Sequence, residues 1–307
     1  MQEYQGGTAL MLYGPAPEFP WLSLQGRVNY DSHMAVQDES RLRSVASRQN
    51  SLVKELRKAS SQFELTKEGS IAIEGVRIVE EAIRSGLRFQ AVFFSETGRV
   101  HASRLLPQIA TQVECLLLPD DVFSSAVDTE TPQGVAALVK VKSVRLEEIL
   151  EDANENFLIV VLAGIQDPGN LGTIIRSSEA FSAGAVLLGE KTASPFNSKV
   201  VRASAGSIFR QPVIRFPLHD AIRLLKAYDF SIIASSSHKG QPLEELDLTG
   251  RVALVIGNEG GGLTAETLAQ ADELAAIPHS SRVESLNAGI AASILLYEAA
   301  RQRRRST

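Results

Sequence analysis

In its second half the chain alternates unbroken apolar runs with helical patterns, and that alternation constrains the fold more than any other feature. Residues 158–162, 185–188, 231–234 and 252–256 read as buried strands. Between and after them, helices are expected over 171–183, 198–205, 218–227 and 264–271, with a last one over 287–301. Strands apolar on both sides need cover on both faces, and helices between successive strands provide it while making the strands parallel. The fold class is therefore α/β, built on a parallel sheet.

The first half has a different rhythm. Leu52, Val53, Leu56 and Ala59 share a helix face. Ile71-Ala72-Ile73 reads as a strand, and Ile78, Val79, Ala82 and Ile83 as a helix stripe that Gly86 stops. Strands follow over 91–94, 113–118 and 135–141, the last after the turn Thr131-Pro132-Gln133-Gly134. Residues 41–142 make a small α/β domain and 150–305 a second one, joined by a linker and first helix over 140–150. Residues 1–33 hold Gly6-Gly7, Pro15, Pro17, Pro20 and Trp21 without a period. They head an extension, 1–40, expected to be disordered; within it Met34 is a second candidate initiator.

The 307 residues are 44% hydrophobic, enough for a sizeable core. Cys115 is the single cysteine, in an apolar run, so neither an internal disulfide nor a cysteine metal site can form. The five histidines lack metal-ligand spacing, and no metal is expected. No run is long enough to span a bilayer, and no signal-peptide pattern opens the chain, so a cytoplasmic protein is expected. The net charge of −5 is uneven. Arg41, Arg43, Arg48, Lys54, Arg57 and Lys58 cluster, and Arg301, Arg303, Arg304 and Arg305 end the chain. Both groups are candidate phosphate contacts, or else solvated surface.

Three segments carry the chemistry, each at a strand-to-helix junction. The first is Asp167-Pro168-Gly169-Asn170-Leu171-Gly172-Thr173-Ile174-Ile175-Arg176. The second is Gly257-Asn258-Glu259-Gly260-Gly261-Gly262-Leu263-Thr264. The third is Ile277-Pro278-His279-Ser280-Ser281-Arg282-Val283-Glu284-Ser285-Leu286-Asn287. The glycine loop is not a Walker A loop, because no Lys-Ser/Thr follows it, and it lacks the dinucleotide G-x-G-x-x-G spacing. Four glycines in six residues exceed what a tight turn needs. Asn170 and Ser285 both read as helix N-caps. Without a function, Arg176 would be a surface ion pair with Glu179 or Glu190. No nucleophile elbow surrounds Ser285, which excludes acyl transfer by it.

In this order the three segments resemble the motifs of the SpoU-type (TrmH-like) RNA 2′-O-ribose methyltransferases of the SPOUT superfamily. The resemblance spans roughly residues 157–301. Residues from about 50 onward, including Glu74-Gly75-Val76-Arg77 and Pro132-Gln133-Gly134, resemble the substrate-binding domain that precedes many such enzymes and is itself like ribosomal RNA-binding proteins. The resemblance implies a knotted parallel-sheet domain, S-adenosylmethionine as cofactor, and RNA as substrate, with 23S rRNA favoured over tRNA. It implies a homodimer, and neither membrane nor DNA as partner. Cofactor contacts would fall on Gly257, Gly262, Ile277 and Leu286, and catalytic roles on Asn170, Arg176, Glu259, Ser285 and Asn287.

A ribose 2′-hydroxyl must lose a proton to become a nucleophile, so catalysis means positioning, proton removal and stabilising an alkoxide. A guanidinium keeps its proton in proteins, which makes Arg176 a cationic clamp, with Glu259 or a water as proton acceptor. The chain departs from the family pattern at Ser182, His279 and Ser281, where Gly, Met and Gly are usual; cofactor affinity is what the last two put in question. The competing classes are a non-catalytic RNA-binding assembly protein and an NAD-dependent enzyme.

Overall fold

The computed structural model describes residues 10–11, 39–237 and 239–304. The chain divides into two compact units, residues 13–141 and residues 142–307 with 1–12. Most of the expected extension, with Met34, lies outside the described residues. Within it, β1 (Leu10–Met11) pairs antiparallel with Lys142–Ser143.

The first unit holds β2 (Leu42–Ser44), α1 (Ser51–Gln62), β3 (Ser70–Glu74), α2 (Val76–Arg84), β4 (Phe89–Ser95), α3 (Ala102–Leu105), β5 (Glu114–Leu118), α4 (Asp120–Ser124) and β6 (Val135–Lys140). Its sheet runs β2-β5-β4-β6-β3. The first three of these strands are parallel, and β6 is antiparallel to both neighbours. Asn50 starts α1 by accepting from the amides of Leu52 at 3.0 Å and Val53 at 3.4 Å. The stripe Val53, Leu56 and Ala59 then packs in a core with Phe93, Leu116 and Leu138. Gly86, at φ +67°, takes the left-handed position after α2. Gly98 has a different constraint: a Cβ there would lie 2.1 Å from the Gly134 carbonyl oxygen, so two turns cross backbone to backbone.

The arginines of the basic run also bond within their own unit. Arg41 donates to the carbonyls of Leu106, Ile109 and Ala110 at 2.8, 3.1 and 2.9 Å. Arg43 pairs with Glu114 and Arg48 with Asp121, each at 2.7 Å. Arg57 bonds the Ser125 carbonyl at 2.9 Å. Arg41 and Arg57 are tied to carbonyls of their own unit, Arg43 and Arg48 form exposed ion pairs, and the side chains of Lys54 and Lys58, exposed and four residues apart on α1, bond to no described residue. The C-terminal arginines are also engaged. Arg301 pairs with Glu298, and Arg303 bonds the carbonyls of Leu248 and Gly250 at 2.9 and 3.0 Å. Burial pulls Arg303 down to about 10, still charged at neutral pH. Arg305 lies outside the described residues.

The second unit contains β7 (Lys142–Ser143), α5 (Leu146–Glu151), β8 (Leu158–Ala163), α6 (Pro168–Ala180), β9 (Ala185–Leu188), α7 (Ser198–Ala203), β10 (Val213–Arg215), α8 (Leu218–Ala227), β11 (Ser231–Ser236), β12 (Gln241–Pro242), β13 (Val252–Gly257), α9 (Ala265–Ala269), β14 (Glu273–Ala276) and α10 (Ala288–Arg303). Seven strands form one parallel sheet, β10-β9-β8-β13-β11-β14-β12. Ile159, Val161, Leu187, Ile232 and Val255 pack on one face with Leu146 and Leu150 of α5 and Ile222 and Leu225 of α8. The alternate residues Val160, Leu162, Leu254 and Ile256 are equally buried, so the sheet is covered on both faces.

Three helix ends move from where the sequence put them. α6 starts at Pro168, and its N-cap is Asp167, whose carboxylate accepts from the Asn170 amide at 2.8 Å. Asn170, three residues into the helix, is not the cap. α6 stops at Ala180, and Ser182 takes the left-handed turn at φ +60° instead of Gly184. Gly184 is needed for packing, since a Cβ there would meet the Phe157 ring at 2.0 Å. Asn287, not Ser285, caps α10, accepting from Gly289 at 2.9 Å and Ile290 at 3.2 Å.

Candidate active site

The loops after β8, β13, β11 and β14 meet at the carboxyl edge of the sheet, where open α/β sheets hold their ligands. Those after β11, β13 and β14 line a cleft of about 390 Å³. Its lining includes Gly257, Glu259, Gly262, Ile277, Ser285 and Leu286 from the expected set. Asn170, Arg176 and Asn287 are not among the lining residues. Ser235, Ser236, Ser237 and Asn258 are, and sequence reasoning had passed over them. The serines end a strand whose core half reads like any buried run; their one signal was three hydroxyls in succession.

Asn258 organises the glycine loop. Its side-chain oxygen accepts from the amides of Gly260 at 2.7 Å and Gly261 at 3.0 Å, and its side-chain nitrogen donates to the Gly164 carbonyl at 3.0 Å. Its backbone forms a bridge with Gly262, with the two amide-to-carbonyl bonds at 3.3 and 3.0 Å. The four glycines then separate into two kinds. Gly257 is demanded by packing, because a Cβ would lie 2.4 Å from the Gly262 carbonyl carbon, and Gly262 is demanded by its φ of +63°. A Cβ on Gly261 would meet nothing within 4 Å, and one on Gly260 only the Asn258 oxygen at 3.5 Å. Those two leave open space.

This bonding decides which ligand the cleft suits. The amides of Asn258, Gly260, Gly261 and Gly262 are spent inside the loop, so it is not an anion nest. Glu259 and Glu284 are the carboxylates of the lining, alongside Ile256, Ala275, Ile277, Leu286 and Ala291. A flat base carried on a cationic group fits these surroundings, and S-adenosylmethionine is such a molecule; a pyrophosphate does not fit.

Beside the cleft runs a directional chain of amides. Asn287 Nδ2 donates to Asn170 Oδ1 at 2.9 Å, and Asn170 Nδ2 donates to Glu259 Oε1 at 3.0 Å. Glu259 also accepts from the amides of Gln166 at 3.3 Å and Asp167 at 3.4 Å. Helix packing keeps the chain in register. α10 lies along α6, with Ser177 and Ser293 hydroxyls 2.7 Å apart and a Gly289 Cβ only 3.3 Å from Thr173. Burial pushes the Glu259 carboxyl up, but the hydrogen bonds from Asn170 and the backbone outweigh it and hold the group below its ordinary value of 4.5. So held, Glu259 is a poor base near neutrality, which weighs against it as the proton acceptor.

Arg176 is exposed on α6, six residues beyond Asn170 and roughly 120° around the helix. Its surface ion pair does not form. Glu179 is taken by Arg210, whose Nη2 lies 3.0 Å away, and Glu190 accepts from the Leu218 amide at 3.2 Å. Arg176 has no partner among the described residues. Ser285 is likewise exposed, with a free hydroxyl. Among the described residues, no group of three or more His, Cys, Asp or Glu side chains could hold a metal ion.

A parallel sheet, a cleft at its carboxyl edge suited to a cationic ligand, and an amide–carboxylate chain beside it define a class: an α/β group-transfer enzyme. Comparison with known proteins sharpens this. Residues 157–297 match the SpoU rRNA Methylase family, and residues 50–137 match the MRM3-like substrate binding domain. The chain is 35% identical over 257 residues to the 23S rRNA (guanosine(2553)-2′-O)-methyltransferase RlmP of Bacillus subtilis (strain 168), covering 83% of this chain and 98% of that one. It is 30% identical to the 23S rRNA (uridine(2479)-2′-O)-methyltransferase of Streptomyces viridochromogenes, over 78% of this chain and 85% of that one. The crystal structure of an AdoMet-bound rRNA methyltransferase from Sinorhizobium meliloti superposes with a TM-score of 0.73 at 29% identity, over 85% of this chain and 98% of that one. The chain belongs to the SpoU rRNA methylase family.

Proposed function

We propose that the protein transfers a methyl group from S-adenosylmethionine to a ribose 2′-hydroxyl of 23S rRNA. The observation that carries this reading is the cleft whose loop amides are spent internally, set beside the Asn287–Asn170–Glu259 chain. The names of the RlmP and Streptomyces relatives support rRNA as the substrate, and the AdoMet-bound neighbour supports the cofactor.

The cofactor, when bound, supplies an electrophilic methyl group on a sulfonium. The chain's residues supply the rest. Gly260 and Gly261 leave room for the ligand, and the backbones of Gly257, Gly262, Ile277 and Leu286 surround it. Glu259 orients Asn170 and stays ionised, Ser285 holds the ribose, and Asn287 keeps Asn170 in register. Arg176 stabilises the alkoxide or an adjacent phosphate as its oxygen loses the proton to water. Residues 41–142 recognise the RNA.

The finer reading extends to the assembly. Ile290 and Tyr297 are 53% and 50% exposed and seven residues apart on α10, a face suited to a second copy across a two-fold axis. The knot implied by the family resemblance and a cytoplasmic location complete the proposal. Among the described residues no helix is long and apolar enough to cross a membrane.

Mass-spectrometric mapping of ribose methylation in rRNA and tRNA, with and without the protein, tests the function. One 23S rRNA site should lose its methyl group when the protein is removed. Loss at a tRNA site instead would move the substrate to tRNA, and no loss in either would sink the activity.

A further inference from the structure

Among the described residues, the cleft lining contains one imidazole, that of His279, and its hydrogen bonding is one-sided. Nδ1 of His279 lies 2.7 Å from the Ile277 carbonyl oxygen. A carbonyl oxygen only accepts, so Nδ1 must carry the hydrogen. In the neutral ring Nε2 is then a bare acceptor, and no described residue donates to it. The residue is half-buried, and its ring is fixed by a bond to its own chain two residues back. A pre-oriented acceptor on a cleft wall, without a donor of its own, is suited to reading a donor on the ligand.

The position narrows which donor. Ile277, to which the ring is tied, belongs to the apolar part of the lining with Ile256, Ala275, Leu286 and Ala291. A planar base seats against such residues, whereas the cationic groups of the ligand go to the carboxylates Glu259 and Glu284.

We propose that Nε2 of His279 accepts a hydrogen bond from the exocyclic amine of the cofactor's purine, making His279 a base-selecting residue. The proposal rests on the S-adenosylmethionine reading of the cleft. A 6-oxo purine would turn an acceptor toward Nε2 and leave both lone pairs unpaired, so the site should reject it.

Calorimetric titration of the full chain with S-adenosylhomocysteine and with S-inosylhomocysteine tests this. The wild-type protein should prefer the adenosyl compound. His279→Leu should weaken the adenosyl compound by roughly fivefold to tenfold while leaving the inosyl compound unchanged or tighter. His279→Gln, which keeps an acceptor at similar reach, should restore part of the preference, and it serves as the test if the leucine variant does not fold. If His279 only locks its own turn, both compounds weaken together, and the proposal falls. A preference unchanged in His279→Leu, or entirely lost in His279→Gln, overturns it as well. Wild-type protein that binds neither compound refutes the cofactor reading itself, a result distinct from either of these.

Discussion

Asn287 serves two partners at once: its amide oxygen caps α10, and its amide nitrogen donates to Asn170 at 2.9 Å. The start of the last helix and the orientation of the amide facing Glu259 are therefore set by one side chain. Asp is as good an N-cap as Asn. Asn287→Asp should keep stability within about 0.5 kcal/mol while removing the donor to Asn170. Turnover should drop by at least about tenfold, as expected for one lost orienting hydrogen bond. Asn287→Ala should lose turnover and also about 1 kcal/mol of stability. Thermal unfolding and single-turnover methylation measure the two effects, and normal turnover by the aspartate variant would show that the amide chain is idle.

Arg176→Ala should abolish methyl transfer yet leave unfolding temperature and cofactor affinity nearly unchanged, because the guanidinium has no described partner to lose. Arg176→Lys keeps the charge without the planar fork and should recover partial activity at best. Near-normal methylation of natural RNA by the alanine variant would remove Arg176 from the reaction.

The lowered carboxyl of Glu259 has a consequence for pH. A carboxylate held below 4.5 contributes its clamp fully above that value and loses it only as pH falls through the lowered one. Between pH 5 and 8 its charge should not change. Cofactor affinity measured across that range should have the same shape in wild type and Glu259→Gln, whatever the difference in magnitude. A pH dependence present in the first and absent in the second would mean that Glu259 titrates there after all.

Ser182 occupies a left-handed turn at φ +60°, a conformation that disfavours side chains with a Cβ. Ser182→Gly should raise stability by about 0.5–1 kcal/mol, the relief of the Cβ exceeding the added chain entropy of glycine. Denaturant unfolding will show it, and a destabilised variant would mean that the hydroxyl makes up for the strain.

Since the arginines near the N-terminus bind their own unit, RNA affinity should depend on Lys54 and Lys58. Replacing both with Ala should flatten the salt dependence of RNA binding by about two counterions. Arg48→Ala, which breaks an exposed pair with Asp121, should cost less than about 1 kcal/mol of stability and little RNA affinity. The reverse ranking would return the arginine run to the RNA surface.

The parallel sheet was legible because its central strands are apolar at every position. β14 was not: Glu273–Ala276 opens on a charge, and only Ala275 is buried. β10 escaped notice for its length, three residues between Pro212 and Phe216. Helix ends went wrong where two polar residues could cap and only the backbone path chose between them, as with Asp167 and Asn170. The three site segments stood out through residue types. Which of their groups bond to each other was hidden, because the pairing of Asn287 with Asn170 spans 117 residues and depends on how α10 lies along α6. The internal bonds of the basic run were hidden for a related reason: their acceptors are carbonyls and carboxylates far along the chain, invisible in local charge.

The division among the four loop glycines also bears on how the site can be altered. Gly257 and Gly262 are tied to the backbone path itself, whereas Gly260 and Gly261 face unfilled space. The loop can therefore be reshaped from its outer half without disturbing the part that Asn258 holds. A small side chain at residue 261 would add to the cleft lining without displacing Asn258 or its bridge to Gly262. That position is one where the lining of the cleft can be varied while the backbone path of the loop stays as it is.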